Sequence, residues 1–189
     1  MYVGSQRAAE QVLASLTEWI RRELRLEVNA TKSGVGRPWE RKFLGFRIDP
    51  AGKIEVAPRS LERFQNRVRE LWQSCQSLSS NQLRDQWHAY LKGWWNYFRL
   101  AEECRNLHGL EGWIRRHIRT CFWLRWHHRR GRLRALRRLG LRGRHLKVAC
   151  SSRGAWRIAA SPSLHLALSN AVPRLYGLLV PSDLAASTG

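Results

Sequence analysis

Leu83-Arg84-Asp85-Gln86-Trp87-His88-Ala89-Tyr90-Leu91-Lys92-Gly93-Trp94-Trp95-Asn96-Tyr97-Phe98 sets Leu83, Trp87, Leu91, Trp94 and Phe98 at three- and four-residue steps. That spacing collects them on one stripe of an α-helix, and such large apolar rings need other elements to hide them. Ser79 and Gln82, just ahead, fit a capping box that opens the helix. Upstream, Leu61, Phe64, Val68, Leu71, Cys75 and Leu78 repeat the pattern and predict a helix beginning after Pro58. Downstream, a third helix is expected from about Leu110, with Ile114, His117, Cys121 and Leu124 inward. Its other side would carry Arg115, Arg119 and Phe122 on one face, with Arg116 and Trp123 beside them. Trp94 belongs to the core by its place on the stripe; Trp95 fits a core or a contact position.

The whole chain has 189 residues, 43% of them hydrophobic, enough for one sizeable domain or two small ones and too apolar for global disorder. No apolar run approaches the roughly 20 residues of a membrane span, and residues 1–9 lack the apolar stretch of a signal peptide. Cys75, Cys104, Cys121 and Cys150 lie far apart with no CxxC pair. They read as reduced cysteines of a cytoplasmic protein, not as a disulfide framework or zinc ligands. His127-His128 has no supporting ligand cluster, and no cofactor is implied.

Charge is the second signal. The formal net charge is +20, and residues 111–157 hold 15 Lys/Arg against one acid, Glu111. Tryptophans 87, 94, 95, 113, 123, 126 and 156 are interleaved with these arginines. Guanidinium groups match phosphate oxygens bidentately, while aromatic rings and guanidinium planes stack on unpaired bases. An acid-free run of this length, around 125–144, repels itself unless a polyanion is nearby, which favours RNA as the partner. Gly131, Gly140 and Gly143 should divide it into one short helix and loops.

The first 57 residues read differently. Ala9, Val12, Leu13, Leu16, Ile20 and Leu24 predict a helix over about 6–25, with Ser5 as N-cap. A short strand at 26–28, a polar loop at 29–40, a strand at 43–48, a turn at 49–52 and a strand at 53–56 should follow. One helix and three short strands cover only one face, so the fold class expected is α+β: a small incomplete α/β piece, then a basic helical bundle. Ser163 to Ala171 is expected to form a last short helix stopped by Pro173, and residues 181–189 a flexible tail.

Tyr90 to Phe98, followed by Leu110-Glu111-Gly112-Trp113-Ile114-Arg115-Arg116-His117-Ile118-Arg119, resembles the maturase-specific thumb domain of group II intron reverse transcriptases. Asn29, Lys32-Ser33 and Phe43-Leu44-Gly45-Phe46 resemble the end of the palm in the same bacterial family, and Gly154-Ala155-Trp156-Arg157 with Leu164 to Asn170 resemble its C-terminal part. The similarity spans roughly residues 2–180. It implies a palm remnant at 1–57 and a thumb at 58–180 that grips intron RNA and assists splicing.

That family carries a Tyr-x-Asp-Asp hairpin holding catalytic magnesium, which would lie before Tyr2. The aspartates here are Asp49, Asp85 and Asp183, with no adjacent pair, so the chain alone is not expected to polymerise DNA. The expected RNA contacts are Lys32, Ser33, Lys92, Trp95, Arg115, Arg116, Arg119, Arg125, Trp126, Arg129, Arg130, Arg134, Arg137 and Arg138. Lys32-Ser33 would sit near the primer-template path. The rivals are a fragment of a split reverse transcriptase, active with a palm and fingers chain in trans, and a non-functional intron remnant.

Overall fold

The computed structural model describes residues 3–101 and 105–186. It divides into two compact units, Met1–Ala57 and Pro58–Gly189.

In the first unit, helix α1 (Gln6–Leu24) begins at Ser5, whose extended backbone lets its Oγ accept from the Ala8 N–H at 3.2 Å. None of its residues is buried, and Leu16, Trp19 and Leu24 on its apolar side are exposed. Strands β1 (Lys42–Phe43), β2 (Phe46–Ile48) and β3 (Ile54–Val56) form an antiparallel sheet in that order. The single strand expected over 43–48 is therefore two. Leu44 and Gly45 both take positive φ (49° and 81°), as a two-residue hairpin turn of the primed type requires, and Phe43 pairs with Phe46 across it. The strand expected at 26–28 is absent: Arg25 ends α1 in the left-handed region, and the segment stays irregular up to the Asn29 turn.

The second unit is helical. Helix α2 (Pro58–Gln73) runs into a 3-10 turn at Ser74–Gln76. Helix α3 (Ser80–Phe98) starts with the capping box read from sequence: the Gln82 N–H donates to Ser79 Oγ at 3.2 Å, and the Ser79 N–H to Gln82 Oε1 at 3.0 Å. Then come α4 (Arg105–Arg125), α5 (Arg129–Arg138), a 3-10 segment at Gly143–Cys150, and the short helices α6 (Ala155–Ile158), α7 (Pro162–Ala167), α8 (Ala171–Leu175) and α9 (Pro181–Ala186).

Phe64, Val68, Leu71 and Trp72 from α2 and Leu83, Trp87, Leu91 and Trp94 from α3 are buried, with Phe64 4.4 Å from Trp94 and Trp72 5.5 Å from Trp87. A second core gathers Trp123 with Leu136, Leu141, Ala149, Ile158, Leu164 and Leu168. Helix α4 serves both cores, packing on α2 and on α6. Ile114 and Cys121 are buried as expected, but the opposite face is not solvated. Trp123 and Ile118 are fully buried, Arg119 is buried, and His117 is only half-buried, because the C-terminal helices cover the side that looked solvated.

Two further expectations are corrected. Pro173 does not stop a helix but lies buried in the first turn of α8, where a missing N–H costs nothing. Residues 181–186 are not a frayed tail. Pro181 and Leu184 are buried, Trp87 Nε1 donates to Leu179 O at 2.8 Å, and the Ser182 N–H and Oγ–H donate to Glu111 at 2.6 and 3.0 Å. Residues 187–189 lie outside those described. The observed helices and small antiparallel sheet are consistent with the α+β class.

Candidate nucleic-acid interface

Helix α5 has six arginines in ten residues, and its two leucines decide which way they point. Leu136 is fully buried in the second core and Leu133 packs against it. The C-terminus is pinned by a Schellman motif. Gly140, at φ 84°, donates to Arg137 O at 3.0 Å, and the Leu141 N–H donates to Leu136 O at 3.0 Å. Leu141 joins Leu136 in the core, the apolar contact such a cap favours. With that face fixed, steps of about 100° per residue put Arg130, Arg134, Arg137 and Arg138 on one outward arc about 100° wide.

All four are exposed, as is Arg129, and none has a side-chain hydrogen bond or ion pair among the described residues. Arg130 with Arg134, and Arg134 with Arg138, are like charges four apart, a spacing that destabilises an isolated helix by about 0.2–0.5 kcal/mol per pair. Arg132 differs: its guanidinium lies 4.3 Å from the Trp123 ring centre, as part of the fold. Beyond the helix, Arg142, Arg144, Lys147, Arg153 and Arg157 are also exposed. The sequence-derived set left out these five, although the basic stretch 111–157 contains them.

The arginines of α4 are used differently. Arg125 donates from Nε and Nη2 to Cys75 O at 2.9 and 2.6 Å, from Nη2 to Leu78 O at 2.7 Å, and from Nη1 to Ser80 Oγ at 2.7 Å. It thereby clamps the 3-10 turn to the start of α3. The hydrogen bond with Cys121 lowers the Cys75 thiol pKa, with burial opposing and the Arg125 charge assisting. Arg119 donates from Nε to Ala159 O at 2.9 Å, and Arg116 from Nε to Trp156 O at 3.0 Å. Arg115 is ion-paired with Glu111 at 3.5 Å. The expectation that Arg119 belongs to a solvated face is thus corrected, and Arg115, Arg116 and Arg125 are half-buried.

The aromatic candidates are also tied into the fold. Trp95 is half-buried, and its enclosed Nε1 has no hydrogen-bond partner among the described residues. Trp126 is half-buried beside Phe122 and Trp123, against the second core. A more open aromatic group, which the sequence reading did not single out, is the column of Trp113, His117 and Trp156, with ring centres 4.4 and 4.7 Å apart. Arg69 lies over Trp113 and Arg116 over Trp156, at 5.4 and 4.2 Å. Burial, with the charges of Arg69 and Arg116, lowers the His117 pKa to about 4, so the imidazole is neutral at pH 7.

Lys92 is exposed on α3. In the other unit Lys32 and Ser33 are exposed on a turn built by Asn29, whose Oδ1 accepts from the N–H groups of Thr31 and Lys32 at 3.0 and 3.2 Å. Among the described residues, no group of three or more His, Cys, Asp or Glu side chains could hold a metal ion, and no helix is long and apolar enough to cross a membrane.

No curated protein matches this chain. Residues 61–140 match the family model of the group II intron maturase-specific domain, so the stretch from the first turn of α2 to the glycine that ends α5 is similar to that part of group II intron maturases.

Proposed function

We propose that this chain is an RNA-binding maturase module that grips group II intron RNA to assist splicing, with residues 58–180 acting as the thumb and 1–57 as the end of a palm. The observation that carries RNA binding is the outward arc of Arg130, Arg134, Arg137 and Arg138, held in place by Leu136 and Leu141 and without a carboxylate partner among the described residues. Phosphates meeting that arc release counterions, and the charges stop repelling one another. Specificity comes from the shape of folded RNA, since A-form grooves hide base edges from helices. Lys92, Lys32 and Ser33 extend the contact where RNA reaches them.

Affinity for a folded intron RNA measured against salt tests this. Log K should fall against log salt with a slope of roughly 0.7–0.9 per phosphate contact. A flat dependence, or tighter binding of random duplex DNA, overturns the reading. In the same reading the chain alone extends no RNA-templated primer with magnesium, and primer extension by the purified chain would contradict it.

A second reading has one specific support, the unburied face of α1 with Leu16, Trp19 and Leu24 exposed. In it a palm and fingers fragment on another chain covers that face and restores a reverse transcriptase in trans. Sedimentation of the purified chain as a single monomer, unchanged by such a fragment, eliminates it.

A further inference from the structure

Arg119 is 6% exposed, yet its guanidinium makes one hydrogen bond among the described residues, from Nε to Ala159 O. Arg116, three residues earlier, repeats the arrangement on Trp156 O. Trp156 is the second residue of the four-residue α6 and Ala159 its C-cap, and so short a helix leaves such carbonyls without intrahelical partners. The hydrogen bonds that fasten α6 to α4 use only the Nε edge of the two arginines, and Arg116 adds its guanidinium face over the Trp156 ring at 4.2 Å. Their terminal amino groups have no partner among the described residues. Those terminal nitrogens are not among the fully enclosed, unpartnered side-chain polar atoms of the described residues, which are Nε1 of Trp72, Trp94 and Trp95 and Nε of Arg132.

The surroundings add positive charge. Arg115 and Arg116 lie close enough that, after burial, their charges lower the Arg119 pKa. Glu111, paired with Arg115, is already hydrogen-bonded to Ser182. His165 on α7 has its pKa lowered by burial and by Arg119, so at neutral pH it adds no third repelling cation. Buried charges are normally paired, and a buried guanidinium is expected to remain charged. Among the described residues Arg119 therefore has no counter-anion. The two oxygens of a carboxylate lie in one plane, whereas a free phosphate presents four oxygens and a backbone phosphodiester two charged oxygens on a tetrahedral centre, so either can meet two guanidinium edges from different directions.

We propose that the free edges of Arg116 and Arg119 form a seat for one tetrahedral phosphate-type oxyanion, supplied by an RNA backbone or by free phosphate. The seat deepens the RNA reading by giving α4 a single anchoring phosphate apart from the α5 arc, and it rests on that reading only for the phosphate's carrier.

The test compares the full chain with Arg119→Gln, whose amide still reaches Ala159 O, and with Arg116→Gln, the substitute should Arg119→Gln fail to fold. Each is melted in sodium phosphate and in sodium chloride at matched ionic strength. Phosphate should raise the melting midpoint of the unsubstituted chain by roughly 2–4 °C more than that of either variant; general salting effects act on all alike. RNA titrations identify the carrier. If it is backbone, the salt slope of the variants falls by about one. If the melting difference appears with no change in slope, the seat takes free phosphate. A melting difference in a chain that binds no RNA at all leaves the seat standing and removes the RNA reading. Equal phosphate protection and equal salt slopes in all chains overturn the seat.

Discussion

Helices α4 and α5 are both arginine-rich, lie four residues apart in sequence, and differ in how far the fold itself engages their cations. On α4, Arg116, Arg119 and Arg125 aim at backbone carbonyls of elements 40 to 50 residues away in sequence, and Arg115 at a carboxylate on its own helix. On α5, Arg130, Arg134, Arg137 and Arg138 meet nothing among the described residues. The difference lies in what surrounds each helix. Helix α4 is packed on both sides, so long side chains leaving it encounter unfinished helix ends and use their planar donor groups to finish them. Helix α5 packs through Leu133, Leu136 and Arg132, and the arc that carries Arg130, Arg134, Arg137 and Arg138 faces solvent. A run of arginines thus has two meanings here, tertiary cement and polyanion receptor, and charge counting cannot separate them.

Replacing Arg130, Arg134, Arg137 and Arg138 together by Gln should produce the largest change. The salt slope of RNA binding falls by roughly three, for four contacts at 0.7–0.9 each. The melting temperature stays level or rises slightly, because like-charge pairs are removed. A large drop in melting temperature would erase the contrast between the helices.

Arg125→Ala should act in the reverse sense. It leaves Cys75 O, Leu78 O and Ser80 Oγ without their shared donor and should destabilise the second unit by about 2–3 kcal/mol in a denaturant titration. If stability is unchanged and RNA affinity collapses, Arg125 belongs with α5.

The comparison sharpens with lysine. The fourfold Arg→Lys variant of α5 keeps its charges and should retain most RNA affinity and nearly the whole salt slope. Arg125→Lys keeps its charge but loses the planar array that reaches three acceptors, and should recover less than half of what Arg125→Ala loses. Equal behaviour of the two lysine variants, each relative to its own parent, would mean that geometry matters on neither helix.

The effect that is smallest at neutral pH, and grows only on acidification, belongs to His117. His117, held near pKa 4 in the fold, titrates near 6.5 once unfolded. Between those values the unfolded chain binds a proton that the folded chain refuses. The stability tied to His117 is complete above about pH 6.5 and is lost as pH falls toward 4. His117→Gln should flatten that part of the stability-pH profile; an unchanged slope from pH 6.5 to 4.5 would show that Trp113 and Trp156 do not enclose the ring.

Local patterns carried much of the fold. The stripe Leu83, Trp87, Leu91, Trp94, the Ser79–Gln82 box and the Ser5 cap each depend on neighbours within one turn, so their residues alone determined α3 and the start of α1. The exposed arc of α5 was legible as an acid-free run, since nothing distant is needed to make it polar. What only the tertiary structure decided is which arginines are free. Arg119 and Arg125 find their partners 40 and 50 residues away, at the end of α6 and in the turn before α3. No periodicity within α4 reveals that these carbonyls will be there. The docking of α9 on Trp87 and Glu111 was hidden for the same reason: a six-residue helix has too few apolar positions to announce a face, and becomes ordered only when α3 and α4 supply one.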